Sequence, residues 1–347
     1  MGTRLMTLLL ILALLFPQSA EAAEEKGAKE GEDYIKWVEF NVPYSAMTAA
    51  LQYDIESYGT DIHLNWVELL AVLAAKRGGD FSRYKRKELD ELAARLLAGE
   101  NLGDIISGLN DYEYYLEAYS AILGGFVGEH QVQVPDPLDP ERLIWEKRYG
   151  LKVYLPVAEG FGYSHFDDFG VGRNYGYRRR HLGHDMFGYV GTPIIAVESG
   201  VVEVMGWNQY GGWRIGISSF DGQRYYYYAH LRQNRPFHPD VKEGQVVKAG
   251  DVIGYMGRTG YSHKENVNGI RETHLHWGLQ LIFHPDQKEG SKEIWVDVYN
   301  ITRLLEKNRS AVYRVAETKE FYRSYGFEEP SISSIASKNI EKSCICL

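Results

Sequence analysis

The sequence predicts an all-α N-terminal domain followed by a mainly antiparallel β domain. Three observations carry this. Before about residue 130, apolar residues recur at three- and four-residue intervals, the period of a helix facing a core. After about Tyr163, glycine becomes frequent and short β-branched runs are separated by Gly, Asp and Asn turns. Between them, residues 131–160 open with three prolines in QVQVPDPLDP and read as a linker.

The elements follow in order. Residues 1–22 read as a secretory signal peptide: Arg4, an apolar run from Met6 to Phe16, then Pro17 and the small-x-small site Ala20-Glu-Ala22. The run is short for a bilayer span, so no stable membrane insertion is expected after cleavage, and the chain is expected outside the cytoplasm, secreted or in the cell envelope. Residues 23–32 (AEEKGAKEGE) form a charged linker. In the helical domain, 33–130, Met47, Leu51 and Ile55 make a stripe after Pro43. Asn65 is placed to cap Trp66 to Lys76, which Gly78-Gly79 ends, and Glu68 falls on the wet face of that helix. Leu89 to Leu97 repeats the pattern, and Asp111 is placed to cap a last helix. Strands are expected over Ile194 to Val204, Trp213 to Ser218, Arg224 to Leu231, Val246-Val247 and Val252 to Met256, and a helix from Val298 to Asn308. The β domain spans 161–310 and a polar tail spans 311–347.

The totals exclude some classes. A chain of 347 residues has length for two domains and a sizeable core. Its formal net charge of −9 gives no general attraction for nucleic acid, so an anionic partner must be gripped locally. The two cysteines, Cys344 and Cys346, sit at the tail end and cannot staple a fold.

The chemistry lies in the β domain. In THLHWGLQL, 273–281, side chains alternate faces, so His274, His276, Gly278 and Gln280 share one face. Leu275, Trp277, Leu279 and Leu281 share the other, which places an apolar back in the core and a histidine front in a site. His181 and Asp185, at i and i+4, share a face in a helix or a strand, and His184 points away in a strand. These four front residues are candidate ligands for a three-ligand zinc site with one open position, the arrangement hydrolysis needs. In Arg224-Tyr-Tyr-Tyr-Tyr-Ala-His230-Leu231, alternation groups Tyr226, Tyr228 and His230 on one face and Tyr225, Tyr227 and Ala229 on the other. The run Arg178-Arg179-Arg180 before His181 is a solvated loop or a grip for a substrate carboxylate.

His-x-Gly-x-Asp, then Tyr-Ala-His-Leu, then His-Leu-His-x-Gly, in that order, resembles the lysostaphin/LytM-type zinc endopeptidases of bacterial cell walls. Phe166-Asp-Asp-Phe-Gly170 looks like that family's approach to its metal loop. Gly191-Thr-Pro193 with Ala196 to Val201 looks like its next strand, and Gly244 to Gly260 like its Gly-punctuated hairpin. The resemblance covers roughly 163–300. It implies a LytM-type peptidase with a duplicated hybrid motif-like β fold. It also implies Zn2+ held by His181, Asp185 and His276, with His230 and His274 catalytic at the open position, and peptidoglycan peptides as substrate. On this reading the chain is a secreted zinc endopeptidase for cell-wall remodelling or lysis, and neutral imidazoles at the metal make activity fall below about pH 6. The alternatives are a non-catalytic wall-binding scaffold retaining the fold, or a bifunctional enzyme whose N-terminal domain cleaves glycan through Glu68.

Overall fold

A computed structural model of the chain describes residues 34–174, 178–288 and 292–332. The expected signal peptide, the 23–32 linker and the cysteines of the tail lie outside the described residues. Among the described residues, no helix is long and apolar enough to cross a membrane.

Helices Tyr44–Ser57, Trp66–Arg77, Arg86–Leu97 and Tyr112–Leu123 form in the N-terminal part, with a short helix, Leu102–Ile106, that periodicity does not show. The Asn65 side chain accepts hydrogen bonds from the N–H groups of Val67 and Glu68, and Gly78, with φ 59°, ends that helix in the left-handed conformation. Asp111 departs from expectation. It has φ 63° and makes no side-chain cap bond, because capping needs an extended backbone there. Glu68 is half-buried rather than wet. It lines a cavity of about 340 Å³ that Leu102 helps to wall, and burial pushes its pKa up.

The helices share a core with the sheet. The described residues from Ile35 onward fall in one compact unit, and a single cluster of buried residues runs from Leu70, Tyr119 and Phe126 to Tyr226, Trp277 and Leu279. The reason is visible in helix Trp66–Arg77, which buries Trp66, Val67 and the whole run from Leu69 to Ala74. A helix apolar on nearly every side needs cover from more than its sibling helices.

The segment expected as a linker, 131–160, is instead structured. Val127–Asp136 and Asp139–Leu151 form an antiparallel hairpin, and Phe327–Glu328 adds to its edge. Its prolines, Pro135, Pro137 and Pro140, gather at the tip, where the register shifts and a missing N–H is best tolerated. The first part of the tail is likewise folded, with Val312–Arg314 paired to Phe321–Arg323.

The main sheet orders Val246–Val247, Gly200–Asn208, Gly212–Ser219, Arg224–Ala229, His274–Leu281, His184–Phe187 and Ser164–His165. Ile294–Val296 also pairs with His274–Leu281, and every pairing is antiparallel. The expected strand Ile194 to Val204 is broken in two. Pro193–Ile195 pairs with Val252–Tyr255, while Gly200–Asn208 pairs with Gly212–Ser219. Gly244 to Gly260 does not fold on itself as a hairpin either, because its strands pair with these two separate segments.

The break holds Glu198, turned inward against Arg224. The Arg224 guanidinium is 1% exposed. It donates to Glu198 Oε2 at 2.8 Å, to Asp221 Oδ2 at 2.6 Å and to the Ala121 carbonyl at 2.8 Å, and Tyr226 Oη donates to Glu198 Oε2 at 2.6 Å. The bond to Ala121 ties helix Tyr112–Leu123 to the sheet. Gly125 passes so close that a Cβ there would strike the Glu198 carboxylate. On the back of the sheet, His184 is 2% exposed and its Nε2 lies 2.8 Å from His165 Nδ1. Burial, reinforced by His165, pushes the His184 pKa down to about 3.

Glu198→Ala strands the Arg224 charge in the core and is expected to lower stability by about 3–5 kcal/mol in urea denaturation. His184 predicts a pH effect. Unfolded, it binds a proton near pH 6.5; folded, only near 3, so unfolding takes up a proton between those values and stability falls as pH drops below 6.5. With chelator present throughout, wild type is expected to lose about 3 kcal/mol more than His184→Leu between pH 7 and pH 4. Equal losses would refute the assignment.

Candidate metal centre

The site is built where three strands meet in register. In the antiparallel ladders His276 stands opposite Asp185 on one side and Ala229 on the other. Residues directly opposite share a face, so His276 and Asp185 point the same way while their neighbours Trp277 and His184 point into the back. Leu275, Trp277 and Leu279 on that back face are fully buried and hold the register. His181 precedes the strand and reaches over Gly183. A Cβ on Gly183 would lie 2.5 Å from His276 Cε1, so glycine is required between the two ligand candidates.

Three donor atoms converge. His181 Nε2 lies 3.1 Å from Asp185 Oδ1 and 3.1 Å from His276 Nδ1, and His276 Nδ1 lies 2.9 Å from Asp185 Oδ1. His181 and Asp185 are each 2% exposed. Two imidazole nitrogens and a carboxylate oxygen are the donor chemistry of zinc, and three protein ligands leave a fourth position open. Burial pushes the His276 pKa down, which favours the neutral ring that ligation needs. Burial alone would raise the Asp185 pKa, but hydrogen bonds with His181 and His276 hold it well below the usual carboxylate range.

Two more imidazoles adjoin this triangle. His274 Nε2 lies 3.7 Å from Asp185 Oδ2, and the His230 and His274 ring centres are 4.8 Å apart. Each has its Nδ1 against a backbone carbonyl, His230 at 3.0 Å from Thr259 and His274 at 2.9 Å from Glu272. A carbonyl only accepts, so Nδ1 carries the proton and Nε2 keeps its lone pair. Burial, with His274 and His276 nearby, pushes the His230 pKa well down. The structure thus gathers His181, Asp185, His230, His274 and His276 in one place.

The alternation expected across Arg224 to Leu231 fails at its end. Tyr225 and Tyr227 face the site, and Tyr226 and Tyr228 face the core, where Tyr228 Oη accepts from the Val197 N–H. His230 joins Tyr225 and Tyr227 because its φ is 62°, a left-handed turn that resets which way its side chain points. Nothing in strict alternation signals that turn.

A groove of about 380 Å³ extends from the triangle along the sheet, lined by Tyr225, Tyr227, Arg179, Arg214 and Trp295 among others. Its glycines make the room: a Cβ on Gly278 would lie 2.8 Å from the Trp295 ring, and Gly211 and Gly216 sit under the hydroxyls of Tyr227 and Tyr225. Within the run of three arginines, Arg179 lies over the rings of Tyr210 at 5.7 Å and Tyr261 at 5.3 Å and donates to Tyr261 Oη. Arg180 is exposed at the rim.

Two supporting residues were not singled out by spacing. Asp168 Oδ2 lies 3.1 Å from His181 Nδ1, on the far side of the ring from the triangle. Arg173 Nη2 bridges Asp168 Oδ2 at 2.5 Å and Asp185 Oδ2 at 2.7 Å. An outer carboxylate of this kind fixes the tautomer and orientation of a ligating histidine. Asp168 stands within the Phe166 to Gly170 segment, which only the family resemblance marked.

Residues 179–288 match the model of peptidase family M23. A 125-residue stretch is 42% identical to the L-Ala–D-Glu endopeptidase of Bacillus subtilis, covering 36% of this chain and 37% of that protein. A 105-residue stretch is 40% identical to lysostaphin of Staphylococcus simulans, covering 30% of this chain and 19% of that one. The chain therefore spans less than two fifths of either relative's length. A solved structure named for a glycyl-glycine endopeptidase LytM from Ruminococcus gnavus aligns at 25% identity and a TM-score of 0.49, over 79% of this chain and 91% of that one. The ordered motifs, the converging donors and the matched segment identify residues 179–288 as a domain of peptidase family M23.

Proposed function

We propose that this chain is an exported zinc-dependent endopeptidase that hydrolyses peptide bonds in bacterial peptidoglycan, in cell-wall remodelling or lysis. The observation that carries the reading is the set of three donor atoms within 3.1 Å of one another, flanked by two further imidazoles with free lone pairs. Support for the substrate comes from the M23 domain and from relatives named for peptide-bond cleavage, the L-Ala–D-Glu endopeptidase and the glycyl-glycine endopeptidase ALE-1 of Staphylococcus capitis.

His181 Nε2, Asp185 Oδ1 and His276 Nδ1 would hold the zinc. Bound there, it supplies Lewis-acid activation of water and of the scissile carbonyl. The remaining work falls to protein groups. The Nε2 of His230 or His274 accepts the proton from the attacking water. The resulting imidazolium then faces the oxygen on which negative charge grows. As the C–N bond breaks, it returns the proton to the leaving amine. Both rings are buried, so the field of the charged ring is little screened where it acts. The intact set of five residues favours this reading over a scaffold that has lost hydrolysis.

His276→Ala is expected to abolish release of fragments from purified peptidoglycan while circular dichroism stays unchanged, and chelator is expected to do the same to wild type. Undiminished release by the variant would overturn the proposal. Asp168→Ala removes the group that orients His181. Zinc affinity, read by competition with a chromogenic chelator, is expected to fall about 10–100-fold with the fold retained.

A further inference from the structure

We propose that Arg214 is a specificity residue that takes the free carboxylate of an acidic substrate residue in the groove beside the metal centre. This rests on the endopeptidase reading and names the class of peptide it selects.

Arg214 lies on strand Gly212–Ser219, one residue before Ile215, which pairs with Tyr228. Tyr228 faces the core, so Ile215 does too, and Arg214 points to the opposite face with Tyr227 and His276. Its side chain enters the same cavity of about 380 Å³ as His230 and His276.

Its Nε is buried and has no hydrogen-bond partner, and no carboxylate among the described residues forms an ion pair with it. A partly buried guanidinium left this way is costly unless something anionic completes it. By contrast, Arg224 is ringed by Glu198 and Asp221, and Arg173 by Asp168 and Asp185. Arg214 differs in that its face is open to the groove.

The surroundings favour an anion. Beside Arg214 the groove carries Arg179 and Arg180 against one lining carboxylate, Glu293, in a chain whose net charge is −9. A local excess of positive charge against the overall sign marks a site built for a negative group. The planar fork of a guanidinium matches a carboxylate with two parallel hydrogen bonds, which an amide cannot reproduce. Tyr225, Tyr227 and Trp295 give the rest of the wall flat surfaces for a peptide backbone. The ligand is therefore a peptide with an acidic side chain or free α-carboxylate near the scissile bond.

The test uses the full chain with zinc and two synthetic stem peptides. They are identical except that one carries glutamate where the other carries its amide, glutamine. Wild type is expected to prefer the acid by about tenfold in kcat/KM, expressed mainly in KM. In Arg214→Gln that ratio is expected to collapse to near one, with zinc content and thermal midpoint retained, and Arg214→Lys should fall between. A wild-type ratio near one, or a ratio that Arg214→Gln leaves intact, overturns the assignment of Arg214 and leaves the endopeptidase reading standing. If wild type cleaves neither peptide, fluorescence anisotropy of the labelled pair decides separately. Preferential binding of the acid that Arg214→Gln loses would sink hydrolysis and keep the carboxylate site, and equal binding would sink both.

Discussion

The site depends on the register between His184–Phe187 and His274–Leu281. Because His276 stands opposite Asp185, two donors from segments 91 residues apart meet within 2.9 Å. A slip of one residue would bring His184 forward and send Asp185 into the core. What prevents the slip is on the other face. Trp277, Leu275 and Leu279 are buried there with Met186, and His184 is locked to His165. The metal-binding front is thus held by apolar packing behind it, so burial of the back face sets the geometry of the donors.

The same division explains which features were legible in the sequence. Period-two alternation in THLHWGLQL is strict because the back face is wholly apolar, and it correctly put His274 and His276 together. The i, i+4 spacing of His181 and Asp185 is legible too, although His181 precedes the strand and meets Asp185 by reaching over Gly183. Alternation alone misplaces His230, because one left-handed residue breaks it, and the Tyr-Ala-His-Leu resemblance is what marks that histidine. Asp168 was silent too, since a carboxylate reaching back from a loop has no fixed spacing. The prolines of 131–160 argue for a linker because proline is depleted from strands. They gather instead at a hairpin tip where the register shifts, and two long strands lie behind them. The shared core is not legible because periodicity reports that a helix has a buried face without saying what covers it.

The two non-ligand histidines show how a backbone sets proton chemistry. The carbonyls of Thr259 and Glu272 fix the protons of His230 and His274 on Nδ1. Both Nε2 atoms are left as acceptors, and burial keeps His230 neutral. A neutral acceptor ring becomes a donor once it takes a proton, so one side chain can serve as base early and as acid late. The ring need not be assisted by a carboxylate, since the carbonyl already holds its orientation.

The balance of charge places recognition at short range. At physiological salt, fields from exposed charges fade over about 8 Å, so the negative surface neither draws in nor strongly repels a carboxylate-bearing peptide from a distance. Whatever selects such a peptide must act inside the groove, where partial burial weakens screening. Arg173 is spoken for by Asp168 and Asp185, and Arg179 lies against Tyr210 and Tyr261. Arg180 is exposed at the rim, where an ion pair is worth little. Arg214 is partly buried, faces the groove and has an Nε with no hydrogen-bond partner. A substrate carboxylate would complete it with two parallel charge-assisted hydrogen bonds, whereas a neutral amide offers a single uncharged acceptor, so discrimination between the two follows from the charge and fork of one side chain.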